Sequence, residues 1–135
     1  MEKTSAASSR VFLVEDSDPI RERLVSLLAT IDGIAVVGEA VSPKRAIEGI
    51  LLTCPDSVVL DIELVGGSGI EVLRAVHAQA PDIRFIILSN HVDMQYRLVC
   101  MRAGASCFLN KSTEFARVPE IVSEFGARTH RRQAA

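Results

Sequence analysis

Five short apolar runs, separated by segments of helical periodicity, constrain the fold of this chain more than any other feature. The runs cover residues 11–14, 34–37, 58–60, 85–88 and 107–109. Each has the length of a strand and is continuous rather than alternating, which is typical of strands covered on both faces. The pattern therefore predicts a parallel sheet with helices packed on both sides.

The segments between the runs carry helix signals. Ser42 followed by Pro43 is typical of an N-cap with a first-turn proline, and Ser68 precedes Glu71 at the capping-box spacing. A fourth helix is predicted over about residues 93–103. Strand and helix alternate five times, which predicts an α/β fold, namely a flavodoxin-like doubly wound (βα)5 three-layer sandwich around a five-stranded parallel sheet.

The fifth helix is predicted to begin at about Arg117, because Pro119 interrupts the helical pattern before it. The length of 135 residues fits one domain, which we place at residues 10–126, between a flexible leader at 1–9 and a flexible tail at 127–135. The hydrophobic fraction of 48% excludes a disordered chain.

Charge and hydropathy indicate which classes of partner and which cellular compartment to expect. The net charge of -2 gives the chain no global attraction to nucleic acid or to an anionic membrane. The sequence contains neither a long apolar span nor a secretory signal, so we expect a cytoplasmic protein without direct nucleic-acid or membrane contact. The cysteines Cys54, Cys100 and Cys107 are odd in number and lack a Cys-x-x-Cys pair, so we expect buried free thiols rather than disulfides or a zinc site.

Polar side chains follow four of the five apolar runs. Glu15 and Asp16 follow the first, Asp61 the third, Ser89 the fourth, and Lys111 the fifth. The carboxyl ends of parallel strands meet at one edge of the sheet, where clustered carboxylates repel each other unless a cation lies among them. Mg²⁺ is the natural cation for oxygen ligands. With Lys111 and Ser89 to bind phosphoryl oxygens, the pattern indicates phosphoryl transfer to Asp61.

This arrangement resembles the receiver domain of bacterial two-component response regulators over about residues 10–126. Four motifs carry the resemblance, and they occur in the family's order and spacing. They are Val14-Glu15-Asp16, the segment 58–64 with Gly66 and Gly69 after it, Leu88-Ser89, and the segment 108–111 that ends in Lys111.

The resemblance implies a role for each matched residue. Asp61 is the phosphoacceptor, and Glu15, Asp16 and the backbone carbonyl of Glu63 organise Mg²⁺, for which Mn²⁺ can substitute. The same resemblance implies that two further strand-end residues, Ser89 and Lys111, contact the phosphoryl group.

Phe108 matches the aromatic switch position of the family, where the ring turns inward when the Ser89 hydroxyl is drawn to the phosphoryl group. Glu63 and His91, each two residues beyond a strand-end residue, are candidate modulators that flank the phosphoryl entrance and set the lifetime of the acyl phosphate. The alternative is that they are two unrelated loop side chains.

The implied function is that of a signalling phosphoacceptor rather than an enzyme with a separate substrate. Its phosphoryl donor would be a histidine kinase or phosphotransfer protein, and its output a protein target bound by contact. We expect a monomer or weak homodimer. The fourth helix is predicted to present part of an apolar set as a partner surface, and that set is Met94, Tyr96, Leu98, Val99 and Met101.

The chain departs from the family pattern at a few positions. Val65 and Ser112 stand where proline is common, although serine after the lysine occurs in receivers of helix-turn-helix regulators. Glu15 is longer than the commoner aspartate, and Phe108 lacks a phenolic hydroxyl, so switching there must rely on packing. Too few residues follow Lys111 for an output domain, and we expect either a stand-alone receiver or a piece of a longer protein.

Three other functions are compatible with parts of the pattern. An unphosphorylated receiver-like scaffold is the first alternative, although the intact acidic set argues against it. A small Mg-dependent phosphohydrolase similar to haloacid dehalogenases would need Asp-x-Asp, whereas the segment reads Asp61-Ile62-Glu63. A flavodoxin-type redox module would need a phosphate loop after the first strand, where the acidic residues would repel a flavin phosphate.

Overall fold

The computed structural model describes residues 9–91 and 93–134, and its centre is a sheet of five parallel strands. In chain order the elements are β1 (Ser9–Val14), α1 (Asp18–Ala29), β2 (Ile34–Ala40), α2 (Pro43–Thr53), β3 (Ser57–Leu60), β4 (Glu63–Leu64), β5 (Gly67–Ser68), α3 (Gly69–Gln79), β6 (Arg84–Ser89), α4 (Met94–Arg102), β7 (Cys107–Asn110), a 3₁₀ turn (Phe115–Arg117) and α5 (Val118–Ala134). The small antiparallel hairpin β4–β5 was not predicted.

The strand order β2-β1-β3-β6-β7 brings the chemically distinctive strand ends together. Val14 of β1 pairs with Leu60 of β3, and Leu60 pairs in turn with Ile87 of β6. The residues that follow these positions therefore lie side by side at the carboxyl edge, where ligands bind in open parallel sheets. The predicted doubly wound fold class is confirmed.

Two apolar layers hold the helices to the sheet. The first lies under α2, α3 and α4 and includes Ile50, Leu73 and Phe85, all of which are fully buried. The second lies under α1 and α5 and includes Leu28 and Val122. Because both faces of the sheet are covered, its strands are apolar at nearly every position, which explains the continuous runs in the sequence.

Helix starts follow the sequence signals closely. Ser17, Ser42, Ser68 and Asp93 occupy the N-cap positions of α1 to α4. The Ser68 hydroxyl accepts a hydrogen bond from the Ile70 N–H, whereas the Ser42 side chain makes no capping bond.

The ends of the domain differ from the prediction. Ser9 belongs to β1 rather than to a leader, and its hydroxyl donates a hydrogen bond of 2.7 Å to the Val122 carbonyl. Residues 1–8 lie outside the described residues. The backbone of α5 is helical to Ala134, through most of the segment predicted as a tail, because alanine, arginine and glutamine there favour a helix.

The cysteine prediction is confirmed in part. Cys100 is buried and Cys107 is half-buried, and all three thiols are free. The prediction is wrong for Cys54, which is exposed. This residue ends α2 in the left-handed conformation, with φ of 48°, and so leaves the buried face of the helix. Within the described residues, no helix has the length and apolar character needed to span a membrane.

Candidate functional site

Three carboxylates meet at the carboxyl edge of the sheet. Glu15 and Asp16 follow β1, and Asp61 follows β3. The Asp61 N–H donates a 2.9 Å hydrogen bond to the Val14 carbonyl, which continues the strand pairing up to the site. One oxygen from each carboxylate lies within 4.8 Å of the others. The predicted acidic cluster is therefore present.

Lys111 supplies a positive charge to this cluster. Its Nζ lies 2.9 Å from Glu15 Oε1 and 3.4 Å from Asp61 Oδ2. The side chains of Glu15 and Asp61 are only 2% and 7% exposed, so solvent screens these ion pairs weakly. The Lys111 N–H binds the Ser89 carbonyl at 2.9 Å, and this backbone contact places the lysine beside the end of β6.

The net effect of burial and neighbouring charges is to raise the pKa of both central groups, Asp61 and Lys111. Burial, and then repulsion from the Glu15 carboxylate, raise the pKa of Asp61 to about 7, although Lys111 acts in the other direction. Burial alone would lower the pKa of Lys111, but its hydrogen bond to Glu15 and the Asp61 charge outweigh this, so that the pKa is raised. Lys111 therefore remains positively charged. A further cation near Asp61 would stabilise the ionised form of its carboxylate.

The donor set fits a hard divalent cation. Glu15, Asp16 and Asp61 offer only carboxylate oxygens, which Mg²⁺ prefers over softer ligands. Asp16 is half-buried, so the cluster is open to water, and Mg²⁺ usually keeps several water ligands.

Close backbone packing fixes the segment that carries Asp61. The Gly69 N–H donates a 2.6 Å hydrogen bond to the Ile62 carbonyl at the start of α3. A Cβ atom at Gly69 would collide with the Asp61 carbonyl oxygen. Glycine at this position therefore lets the helix approach the strand end, which explains why it belongs to the sequence motif.

Arg21 is a residue of the site that the sequence analysis missed. Its Nη1 donates a 2.8 Å hydrogen bond to the Glu15 carbonyl, and it forms ion pairs with Asp18 and Glu39. The Ser17 N–H also binds Glu15 Oε2 at 3.1 Å. Together these contacts fix the loop after β1. The i,i+3 spacing of Asp18 and Arg21 on α1 is a sequence signal for their ion pair. No sequence pattern indicates that Glu39 of β2 also contacts Arg21.

Ser89 and the loop after it lie at the next strand end. Ser89 is buried, and its hydroxyl accepts a 3.0 Å hydrogen bond from the His91 N–H. The fourth helix is capped by Asp93, whose carboxylate accepts a hydrogen bond from the Tyr96 N–H.

His91 and Glu63 contact each other across the edge of the site. His91 Nε2 lies 2.9 Å from Glu63 Oε2, and the Glu63 N–H donates to Asp61 Oδ1 at 3.3 Å. The His91 ring also packs against Tyr96, with ring centroids 5.3 Å apart. The two candidate modulators are thus paired rather than unrelated loop side chains.

Phe108 is a core residue of β7. It is 4% exposed and belongs to the apolar layer under α2, α3 and α4. The Arg97 guanidinium covers its ring at 5.5 Å from the centroid, a contact that the sequence analysis did not foresee.

Part of the α4 apolar set is exposed, as predicted. Met94, Leu98, Val99 and Met101 are all exposed, whereas Tyr96 is half-buried.

Known proteins show the same fold and sequence pattern. Residues 11–123 match the family described as the response regulator receiver domain. The DNA-binding transcriptional activator DevR/DosR of Mycobacterium tuberculosis is 36% identical over 118 residues, which cover 87% of this chain and 54% of the relative. The response regulator UvrY of Escherichia coli is 32% identical, with coverage of 84% and 50%. The chain thus spans about half the length of these curated relatives.

Solved structures agree with the sequence relatives. A two-component response regulator of the LuxR family from an Aurantimonas species has a TM-score of 0.83 at 32% identity, and the match covers 91% of this chain and 86% of that one. The receiver domain of the putative response regulator NarL from Mycobacterium tuberculosis has a TM-score of 0.81 at 28% identity, with coverage of 87% and 95%. Sequence, fold and the acidic strand ends agree, and the chain belongs to the response regulator receiver domain family.

Proposed function

We propose that this chain is the phosphoacceptor of a two-component or phosphorelay pathway, and that Asp61 receives the phosphoryl group. The observation that carries the proposal is the position of Asp61 between the Lys111 ammonium, at 3.4 Å, and the carboxylates of Glu15 and Asp16. This arrangement offers a nucleophilic oxygen together with sites for the two kinds of cation that phosphoryl transfer requires.

The donor is a phosphohistidine of a kinase or phosphotransfer protein. An Asp61 oxygen forms the bond to phosphorus while the donor's N–P bond breaks, and the electron pair returns to the imidazole. Asp61 must be ionised for this attack, and the ammonium of Lys111 favours the ionised form. Glu15, Asp16, Asp61 and the Glu63 carbonyl would hold Mg²⁺, which neutralises charge on the phosphoryl oxygens when bound.

Ser89 and Lys111 bind the oxygens of the transferred group. Ser89 is buried at the end of β6 and its hydroxyl is engaged by the His91 N–H, so a turn of this hydroxyl toward the phosphoryl group displaces the loop before α4. The loop and α4 then shift between two arrangements, and a partner that prefers one of them receives the signal.

Glu63 and His91 control the lifetime of the acyl phosphate. Their contact of 2.9 Å bridges the segments that follow β3 and β6, beside Asp61 and Ser89. While Glu63 and His91 are in contact, they restrict the approach of the water that hydrolyses the acyl phosphate on Asp61.

The downstream partner is a protein that binds the exposed face of α4, formed by Met94, Leu98 and Met101. The free state of all three cysteines fits a reducing compartment, and we place the protein in the cytoplasm.

Intact-protein mass after incubation with acetyl phosphate tests the proposal. We expect a gain of one phosphoryl group with Mg²⁺ and none with EDTA, and no gain in Asp61→Asn. Asp32→Asn, an exposed aspartate in the loop after α1, is the matched control and should behave as wild type. A gain in Asp61→Asn, or none in any protein, would overturn the proposal. Turnover of a generic phosphomonoester would instead support a hydrolase.

A further inference from the structure

The first turn of α4 contacts both the acceptor side of the molecule and β7. Tyr96 packs its ring on His91, with centroids 5.3 Å apart. Arg97, the next residue, places its guanidinium carbon 5.5 Å from the centroid of Phe108, and its Nη2 lies 3.5 Å from the Phe108 carbonyl oxygen. Two adjacent side chains therefore touch two different parts of the fold.

Few side chains of α4 are buried against the domain. Among the side chains of this helix, only Cys100 is fully buried. An element with so few buried contacts has low local stability and shifts readily between arrangements. The contacts of Arg97 with the Phe108 ring and the Phe108 carbonyl oxygen link the first turn of α4 directly to β7.

The Phe108 ring has no polar group of its own that could fix its position. It pairs with Ile87 through the backbone and is buried in apolar surroundings. A guanidinium over an aromatic face is attracted by the ring quadrupole, and the planar group also covers the ring from water. Arg97 thus contributes an electrostatic restraint that packing alone lacks.

A continuous series of contacts leads from Asp61 to Phe108. Asp61 accepts from the Glu63 N–H, and Glu63 pairs with His91. His91 packs on Tyr96, which precedes Arg97 in the first turn of α4, and Arg97 covers Phe108.

We propose that Arg97 is the positioning residue that couples α4 to Phe108, so that a displacement of the His91 loop moves the helix and the Phe108 ring together. The inference rests on the proposed function, since phosphorylation of Asp61 is the event that displaces the loop. Without Arg97, α4 would respond to the loop while β7 would not.

Hydrogen exchange of the full chain, with and without Mg²⁺ and beryllofluoride as a phosphoryl mimic, tests this role. In wild type we expect the mimic to change exchange over both Met94–Arg102 and Cys107–Asn110. In Arg97→Ala the change over β7 should be lost while that over α4 persists, and exchange over β7 in the free protein should be about twofold to fivefold faster. Arg97→Lys should restore much of the response because it keeps the cation.

Matched variants keep the outcome clear. Arg102→Ala removes an exposed arginine from the last turn of the same helix and should respond as wild type. Arg97→Gln keeps most of the side-chain length without the charge, and should behave like Arg97→Ala even if the alanine variant folds poorly. A β7 response that is intact in Arg97→Gln would overturn the coupling role, and so would one equally lost in Arg102→Ala.

The mass gain with acetyl phosphate separates this inference from the proposed function. If Arg97→Gln gains the phosphoryl group and keeps the β7 response, the coupling role fails while the phosphoacceptor function stands. If wild type neither gains mass nor responds to beryllofluoride, both fail.

Discussion

His91 Nε2 lies 2.9 Å from Glu63 Oε2, and this contact closes a bridge between the segments that follow β3 and β6. Both side chains are largely exposed, at 47% and 71%, so the pair is worth only about 0.2–1 kcal/mol. A bridge of that strength opens readily, so in the proposed function it would slow rather than block the approach of water.

We predict that Glu63→Ala and His91→Ala hydrolyse the acyl phosphate about 1.4-fold to fivefold faster than wild type, which is the factor that the loss of such a pair allows. Decay of the phosphorylated mass after removal of the donor measures this rate. The double variant should be no faster than either single one, because both remove the same bridge. Unchanged decay in both single variants would contradict the role, and Glu48→Ala at an exposed position of α2 serves as the control.

Removal of Lys111 should destabilise the protein in a way that Mg²⁺ partly repairs. The Lys111 side chain is 11% exposed and pairs with both Glu15 and Asp61. Its loss leaves buried carboxylates without a cation, a change that costs about 3–5 kcal/mol. We expect Lys111→Met to lose this amount of unfolding free energy in EDTA and less with Mg²⁺, as measured by urea denaturation.

The control for this prediction is Lys44→Met, an exposed lysine of α2, which should leave the unfolding free energy nearly unchanged. If the Lys111→Met deficit were the same with and without Mg²⁺, the metal and the lysine would not be neutralising the same carboxylates.

The stability of the metal-free protein should fall as the pH rises through about 7. Burial and the Glu15 carboxylate raise the pKa of Asp61 from 3.8 in the unfolded chain to about 7 in the fold. A raised carboxyl pKa stabilises the fold below the unfolded value, and this contribution is lost as Asp61 ionises in the folded protein. Each pKa unit corresponds to about 1.4 kcal/mol.

Asp61→Asn should therefore be more stable than wild type at pH 8 in EDTA, and the difference should shrink toward pH 4. Urea denaturation at the two pH values measures it. With saturating Mg²⁺ the advantage of the variant should vanish, because the cation then favours the ionised aspartate. A difference that does not depend on pH would show that Asp61 ionisation does not limit stability.

The main features of the fold and the acidic site could be predicted from the sequence for one physical reason. Strands covered on both faces are continuously apolar, so the first polar residue after each run marks the carboxyl edge of the sheet. Glu15 and Asp61 follow this rule, Lys111 comes one residue later, after Asn110, and all three meet in the structure.

Contacts between different layers were not predictable in the same way. The pairing of Arg21 with Glu39 depends on β2 continuing to Ala40, beyond the apolar run at 34–37. The Arg97 contact with Phe108 depends on how α4 is oriented over β7, which helical periodicity does not fix. Cys54 was misplaced because its exposure follows from the left-handed end of α2.

Phe12 and Gly49 provide a test of packing between β1 and α2. The Phe12 ring extends from β1 to α2, where a Cβ atom at Gly49 would lie 2.7 Å from its Cζ. Replacing a helical glycine by alanine ordinarily stabilises a helix by about 1 kcal/mol. Here the added methyl group must displace a buried ring, which costs about 1–3 kcal/mol, so Gly49→Ala should be neutral to clearly destabilising.

In a Phe12→Leu background the effect of Gly49→Ala should change sign. Leucine lacks the ring atoms nearest to Gly49, so alanine should then stabilise the helix by up to about 1 kcal/mol in urea denaturation. Ala78→Gly, at an exposed position of α3, measures the difference in helix propensity between alanine and glycine in the same protein. If Gly49→Ala were stabilising in both backgrounds, the clash would be absent. The glycine would then not be required by the Phe12 ring.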